Sequence, residues 1–307
     1  MAMKNILKLG YLGVVLSILF LSSFESETFN CRRLKAPTSL EDIIASRSIK
    51  ILVLDMDFTL VNSGESIGED MIEALLNEKG MDICIVTGAF YETVDRRVLS
   101  QIRQYNETHQ RNFDWTKFYL FTDTGSAGFV FDESGESRRF FNRIFSLEQS
   151  VAIEQVVEDF RAQYGQDSIA KTYESQSKFT SYFRDTGLEA MNEYVEFFSQ
   201  RLSSFEVKIS SGGNRESIDI TMVDKGEALR VVKTILGLNN EDFMVVGDSF
   251  KDEYSNDKSM LLEGALVFNV GEVSSRVGLI NTSDYFDSDT CGPQHTLNLL
   301  NLFLYPT

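Results

Sequence analysis

Short apolar runs recur along the chain, and segments with helical periodicity separate them. The runs are "ILVLD", "DICIVTG", "FYLFTD", "FMVVGD" and "ALVFNVG". Between them, "EDMIEALLNEKG" and "KGEALRVVKTILG" place apolar residues, Ile235 among them, on one helical face and end at glycine. Continuous apolar strands that alternate with helices predict an α/β protein with a Rossmann-like parallel sheet covered on both faces.

Residues 135–212 have a different pattern. Two helical segments, "SVAIEQVVEDFRAQY" and "LEAMNEYVEFFSQRL", lie among the strand-like pieces "SRRFFNRIF", "KFTSYFRD" and "FEVKISSGG". The apolar face of the first segment includes Val151. We expect a second, α+β domain at 135–212, inserted into a core formed by 49–134 and 213–307.

The N-terminus begins with two lysines and a long apolar stretch, Leu9–Phe24. This pattern predicts a signal peptide or signal anchor over residues 1–24, followed by a linker over 25–48. The protein is then exported (periplasmic, secreted or in the secretory pathway) or anchored in a membrane through this segment alone. The alternative is a cytoplasmic protein in which the stretch is an ordinary helix.

The chain is acidic, with a formal net charge of −17. Nucleic-acid binding depends on Lys and Arg, so this charge disfavours a nucleic-acid partner. The cysteines Cys31, Cys84 and Cys291 are far apart and show no zinc-ligand spacing. Cys84 lies in an apolar run and is expected in the core, whereas Cys31 and Cys291 would pair only in an oxidising compartment.

Acidic residues follow two of the predicted strands. Asp55 and Asp57 end the first run, and residues two apart in an extended chain point to the same side. Asp248 ends the "FMVVG" run, and Asp252 and Asp257 follow it. One such aspartate is often a helix N-cap, but acids at two strand ends favour a site for Mg²⁺, which prefers oxygen ligands.

Two further strand ends carry groups that suit a phosphoryl ligand. Thr87 and Gly88 follow "ICIV", and Lys225 begins a predicted helix. A lysine at a helix start opposes the helix dipole, so it is expected to pair with acids or an anion. Taken alone, Thr87 is better explained as a turn residue and Lys225 as a surface lysine.

In order along the chain, "DMDFT", "IVTG", "DKGEAL" and "GDSFKD" resemble the four motifs of the haloacid dehalogenase-like (HAD) phosphohydrolases. The flanking sequence is similar to the Cof-type, class IIB branch, which carries an α/β cap between the second and third motifs. "SSGGNRESIDI" has local similarity to phosphomannomutases, and the chain also has some local similarity to sugar phosphatases. The resemblance covers roughly residues 49–275 and implies a HAD core with an inserted cap domain.

The resemblance implies a role for each motif. Asp55 would be the nucleophile that forms an aspartyl-phosphate, and Asp57 the general acid and base. Asp55, Asp248 and the backbone carbonyl of Asp57 would hold Mg²⁺. The transferring phosphate would be bound by Thr87, Gly88 and Lys225, and Lys225 would also keep Asp55 ionised. Supporting roles would fall to Thr59, Ser249, Asp252 and Asp257.

The sequence departs from the family pattern at three places. Phe58 stands where the nearest branch has glycine, and Ala89 stands where Cof-type members usually have arginine. The fourth motif is extended, because "NDKSML" matches its usual tail through Asp257, five residues beyond Asp252. This match favours Asp257 over Asp252 as the second acid of the motif.

The predicted function is a Mg²⁺-dependent phosphatase acting on a small phosphorylated metabolite, such as a sugar phosphate. The alternatives are a phosphomannomutase-like phosphosugar mutase and a binding protein that has lost turnover. The remaining candidates for chemistry are assigned structural roles. His109 and His295 are expected on the surface, Trp115 in packing, and the apolar C-terminal "HTLNLLNLFL" against the core.

Overall fold

The computed structural model describes residues 39–77, 80–183, 188–211, 217–251, 254–286 and 290–304. The predicted signal segment Leu9–Phe24, most of the linker, Cys31 and Asp252 lie outside the described residues. Within those residues, no helix combines the length and apolarity needed to cross a membrane.

The larger sheet has eight strands in the order β12-β11-β10-β1-β2-β3-β4-β5. Its strands are β1 (Ile51–Leu54), β2 (Asp82–Val86), β3 (Phe118–Thr122), β4 (Ala127–Phe131), β5 (Ser137–Asn142), β10 (Phe243–Gly247), β11 (Leu266–Asn269) and β12 (Leu279–Asn281). From β12 to β3 all neighbours are parallel, and β4 and β5 add antiparallel strands at one edge. The predicted α/β core with a parallel sheet is confirmed.

The smaller sheet has four antiparallel strands in the order β6-β7-β9-β8. They are β6 (Ile169–Glu174), β7 (Lys178–Phe183), β8 (Lys208–Ser211) and β9 (Ser217–Thr221). The expected domain limits of 135–212 differ from this sheet at both ends. β5 pairs with β4 and so belongs to the larger sheet, whereas β9 pairs with β7 and β8.

Helices cover the two sheets. They are α1 (Leu40–Ala45), α2 (Glu69–Leu76), α3 (Tyr91–Val94), α4 (Ser100–His109), α5 (Leu147–Tyr164), α6 (Leu188–Arg201), α7 (Lys225–Leu236) and α8 (Pro293–Leu304), with a π-helical turn at Asp95–Leu99. One face of the larger sheet shares a core with α2, α4 and α8, and the other face shares one with α7. The smaller sheet packs its apolar face on α5 and α6.

Single positions within these helices correct the sequence interpretation. Ile235 and Val151 are predicted on the apolar faces of their helices, but Ile235 is 51% exposed and Val151 is 56% exposed. The buried positions include Ala228 in the helix of Ile235 and Ile153 in the helix of Val151. His109 is exposed as expected, but His295 is buried because Thr282 and Thr290 each satisfy one of its ring nitrogens. The expectations for the other core residues hold, since Cys84, Trp115 and the α8 residues Leu299 and Leu300 are all buried.

Candidate active site

Three carboxylates and one lysine gather at the carboxyl edge of the larger sheet. Asp55 follows β1 and Asp248 follows the adjacent parallel strand β10. Oxygens of Asp55, Asp248 and Asp257 lie within 4.8 Å of one another. Lys225 Nζ donates hydrogen bonds to Asp55 Oδ1 at 2.5 Å and to Asp257 Oδ1 at 2.6 Å. Four residues from three separate sequence motifs therefore form one cluster.

Asp257 organises the loop of the fourth motif. Its Oδ2 accepts hydrogen bonds from the backbone N–H groups of Asp248 and Ser249, each at 3.0 Å. Its Oδ1 accepts from Lys225, so both oxygens of this fully buried carboxylate are used. Asp257 thus makes the contacts expected of the second acid of the motif.

Lys225 reaches the cluster because of the way α7 begins. Asp224 caps the helix by accepting a hydrogen bond from the backbone N–H of Glu227 at 3.1 Å. Gly226 lies against the turn that follows Asp257, and a Cβ there would overlap the backbone oxygen of Ser259. This close approach, which only glycine permits, brings the start of α7 to the fourth motif and leaves Lys225 1% exposed.

The cluster carries more negative than positive charge. The pKa of Asp55 is raised to about 7 and that of Asp248 to about 9, mainly by burial and also by the neighbouring carboxylates, while Lys225 acts in the opposite direction. Burial alone lowers the pKa of Lys225, but Asp257 and Asp55 outweigh it and raise that pKa above its ordinary value. One ammonium does not balance three carboxylates in a buried site.

A divalent cation fits this donor set. Mg²⁺ takes oxygen ligands, and clustered carboxylates with an excess of negative charge are its usual protein site. Asp257 already accepts three hydrogen bonds, from Lys225 and two loop N–H groups. Asp55 and Asp248 are therefore the carboxylates most available to coordinate a metal ion. The predicted contribution of Asp57 is through its backbone carbonyl, since its side chain is directed to another partner.

That partner is Arg97, which the sequence analysis does not identify. Arg97 Nη2 forms an ion pair with Asp57 Oδ1 at 2.8 Å. The guanidinium also donates to the backbone oxygens of Glu65 at 2.6 Å and Asn62 at 2.9 Å, and Arg97 is 7% exposed. It belongs to the π-helical turn Asp95–Leu99, a type of distortion frequent at functional sites.

The remaining predicted residues line or support the same place. Thr87 is 1% exposed, and its hydroxyl accepts a hydrogen bond from the backbone N–H of Ala89 at 3.0 Å. Gly88 accepts a hydrogen bond from Lys178 of the smaller sheet at 2.7 Å. Thr59 is buried in the turn after Asp57, where Phe58 adopts a left-handed φ of 59°. A left-handed φ is one that glycine adopts more readily than phenylalanine, in keeping with the glycine that the sequence resemblance leads us to expect at this position.

A cavity of about 400 Å³ opens above the cluster and lies between the two sheets. Its floor includes Asp55, Asp57, Thr87, Lys225 and Asp248. Its roof comes from β6, β7 and β9 of the smaller sheet. A ligand in this cavity would have one end at the carboxylates and the other against the smaller sheet.

No protein-family model and no curated protein sequence matches this chain, but solved structures do. A haloacid dehalogenase-like hydrolase from B. subtilis is 14% identical with a TM-score of 0.56, and the match covers 84% of this chain and 100% of that one. This chain has the haloacid dehalogenase-like fold. The predicted HAD core is therefore confirmed as a fold, and assignment to the Cof-type branch stays a prediction.

Two further structures share this HAD fold. An IMP-bound, N-terminally truncated IMP-nucleotidase from Plasmodium falciparum is 15% identical with a TM-score of 0.64, over 92% of this chain and 78% of that one. A trehalose-6-phosphate phosphatase related protein is 16% identical with a TM-score of 0.50, over 83% and 96%. The large coverage extends the shared HAD architecture to the region of the smaller sheet.

Proposed function

We propose that this protein is a Mg²⁺-dependent phosphatase that hydrolyses a small phosphomonoester through an aspartyl-phosphate. The observation that carries the proposal is the cluster of Asp55, Asp248, Asp257 and Lys225 under the cavity. Three proteins that share this fold support the proposal: an IMP-nucleotidase, a trehalose-6-phosphate phosphatase related protein and a haloacid dehalogenase-like hydrolase.

In the first step, a carboxylate oxygen of Asp55 attacks the phosphorus of the substrate. The new bond is an acyl phosphate, and the bond between phosphorus and the leaving oxygen breaks. Asp57 gives its proton to that oxygen, which leaves as an alcohol. Arg97 holds the Asp57 side chain by the 2.8 Å ion pair. Thr87 and Lys225 bind the oxygens of the transferring group.

In the second step, water attacks the phosphorus of the aspartyl-phosphate. Asp57, now a carboxylate, takes a proton from this water. The acyl phosphate bond breaks, inorganic phosphate leaves, and Asp55 returns as a carboxylate. The Lys225 ammonium, 2.5 Å from Asp55, lowers the pKa of that carboxyl against the effect of burial and so favours its ionised form for the next cycle.

Asp55, Asp248 and the backbone carbonyl of Asp57 would hold Mg²⁺. When bound, the ion supplies positive charge that offsets the negative charge of the phosphoryl oxygens. The roof formed by the smaller sheet would exclude bulk water during the first step.

The test is phosphatase activity of the purified protein with Mg²⁺ on p-nitrophenyl phosphate and a panel of phosphorylated metabolites. We expect turnover that requires Mg²⁺ and a loss of at least about a thousandfold in Asp55→Asn. Asp70→Asn, at an exposed position in α2, is a control that should keep wild-type activity. Retained activity in Asp55→Asn would refute the nucleophile assignment.

The phosphosugar mutase is the alternative with the same first step. A mutase would isomerise a hexose phosphate in the presence of a hexose bisphosphate activator and would release phosphate only slowly. A coupled isomerisation assay on the same preparation separates the two activities. Absence of both activities and of Mg²⁺ binding would favour a binding protein.

A further inference from the structure

The smaller sheet presents a polar face to the cavity. Alternate residues of a strand point to the same side, and the cavity-lining residues of this sheet follow that alternation. They are Lys171 and Tyr173 on β6, Lys178, Thr180 and Tyr182 on β7, and Ser217 and Asp219 on β9. The pairing of Lys171 with Tyr182 and of Tyr173 with Thr180 brings these side chains together on the same face.

Four cationic side chains line the cavity, and three of them are paired with carboxylates. Lys225 binds Asp55 and Asp257, and Arg97 binds Asp57. Lys178 is the third, and its Nζ lies 2.9 Å from Asp219 Oδ2. Within the described part of the chain, the fourth cation, Lys171, has no carboxylate within ion-pair distance.

Lys171 instead lies against two tyrosines. Its ammonium is 5.0 Å from the ring centre of Tyr173 and 4.6 Å from that of Tyr182, and it donates to Tyr173 Oη at 3.2 Å. The two tyrosine rings pack edge to face, with their centres 5.7 Å apart. Cation–π contacts hold the lysine in place without neutralising its charge. Lys171 is exposed at the wall of the cavity, so its charge is accessible to a ligand there. In a protein with a net charge of −17, a cavity-lining cation without a carboxylate partner suits an anion.

We propose that the substrate carries a second anionic group, a phosphate or a carboxylate, on its leaving group, and that Lys171 binds this group. The proposal rests on the phosphatase function and names its substrate class. The phosphoryl group that reacts lies at the carboxylate cluster, and the second anion lies at the roof. A nucleobase is disfavoured here, because the ammonium of Lys171 already lies over a face of each tyrosine ring.

The experiment compares substrates that differ by one anionic group. One pair is glucose 6-phosphate and glucose 1,6-bisphosphate, and the other is glycerol 3-phosphate and 3-phosphoglycerate. We expect wild-type kcat/KM to be higher by about tenfold or more for the member with two anionic groups in at least one pair. The pair that shows the preference tells phosphate recognition from carboxylate recognition.

Lys171→Met should remove this preference and leave kcat/KM for the other member and for p-nitrophenyl phosphate within about twofold. Lys171→Arg keeps the charge and should retain most of the preference. Lys208→Met makes the same charge change on β8 of the same sheet, beside a separate cavity, and should not alter it. The proposal would be overturned if the wild type showed no preference within either pair, or if Lys171→Met lowered kcat/KM equally for both members of a pair. A third substrate pair, IMP and ribose 5-phosphate, tests recognition of a nucleobase instead. A preference for IMP that Lys171→Met leaves unchanged would also overturn the proposal.

A binding measurement separates this proposal from the phosphatase proposal. Calorimetry with glucose 1,6-bisphosphate and with 3-phosphoglycerate uses Asp55→Asn protein and the double variant with Lys171→Met. Weaker binding in the double variant, by about tenfold, would support the role of Lys171 even if no preparation hydrolysed p-nitrophenyl phosphate. Equal binding by the two proteins would refute it.

Discussion

Arg97 Nη2 lies 2.8 Å from Asp57 Oδ1, and this ion pair joins the π-helical turn after β2 to the first acidic motif. The resemblance to the Cof-type branch leads us to expect an arginine directly after the second motif, where this chain has Ala89. Arg97 comes eight residues later on the same segment and points into the cavity. It acts on Asp57, so we regard it as a positioning residue.

Replacing Arg97 should therefore impair proton transfer more than phosphoryl binding. We expect Arg97→Met to lower kcat for an alkyl phosphate by about tenfold to a hundredfold, because its leaving group needs a proton from Asp57. p-Nitrophenyl phosphate has a good leaving group and should lose much less. Arg96→Met, at the exposed neighbour, is the matched control. An equal loss for both substrates would contradict a positioning role.

The two candidate acids of the fourth motif should behave differently. Asp257 contacts Lys225 and two loop N–H groups, so Asp257→Asn should lower kcat by about tenfold or more and weaken Mg²⁺ activation. Asp252→Asn should leave both unchanged. Steady-state kinetics over a range of Mg²⁺ concentrations measures both effects, and the reverse pattern would assign the role to Asp252.

The raised pKa of Asp248 makes the stability of the metal-free protein depend on pH. Burial, together with the neighbouring carboxylates Asp257 and Asp55, raises this pKa from 3.8 to about 9, so between these values the folded state holds a proton that the unfolded state has lost. Stability after EDTA treatment should therefore fall as pH rises from about 6 to 9. The Mg²⁺-induced rise in Tm should grow over the same range, because Mg²⁺ competes with that proton.

Asp248→Asn is the control for this pH dependence. The amide does not titrate, so the metal-free variant should lose the part of the pH dependence that Asp248 contributes and should show little Mg²⁺-induced stabilisation. Thermal unfolding of both proteins at each pH gives the difference directly. Identical pH profiles for the two proteins would show that Asp248 is not the titrating group.

The left-handed backbone at Phe58 predicts an unusual response to glycine. A non-glycine residue at a φ of 59° carries strain of about 1–2 kcal/mol, which glycine removes at a cost of about 0.5–1 kcal/mol in the entropy of the unfolded chain. Phe58→Gly should thus leave the free energy of unfolding within about 1 kcal/mol of wild type. Phe90 lines the same cavity at a φ of −75°, and Phe90→Gly should only destabilise. Urea unfolding of both variants tests the contrast.

The sequence predicts the larger sheet well because its signals are local. The central strands β1 and β10 are continuous apolar runs, and parallel strands buried on both faces require such runs. The acids that end these runs meet at one edge because adjacent parallel strands end together, which brings Asp55 and Asp248 into one cluster. Local patterns thus predict both the core and the floor of the site.

The features that the sequence does not reveal depend on long-range pairing. Arg97 reaches Asp57 through a π-helical turn, which no periodicity marks. β5 joins the larger sheet through its pairing with β4, although its sequence resembles the strands of the smaller sheet. His295 has the polarity of a surface residue, and its burial depends on two threonines, Thr282 and Thr290, that satisfy its ring.

The two faces of β7 illustrate what this architecture allows over evolutionary time. Lys178, Thr180 and Tyr182 line the cavity, whereas Phe179 and Phe183 belong to the core shared with α5 and α6. Substitutions at neighbouring positions should therefore have separate consequences, one set for a ligand in the cavity and the other for folding. A change of ligand preference can accumulate one side chain at a time on the cavity face while the apolar face is conserved.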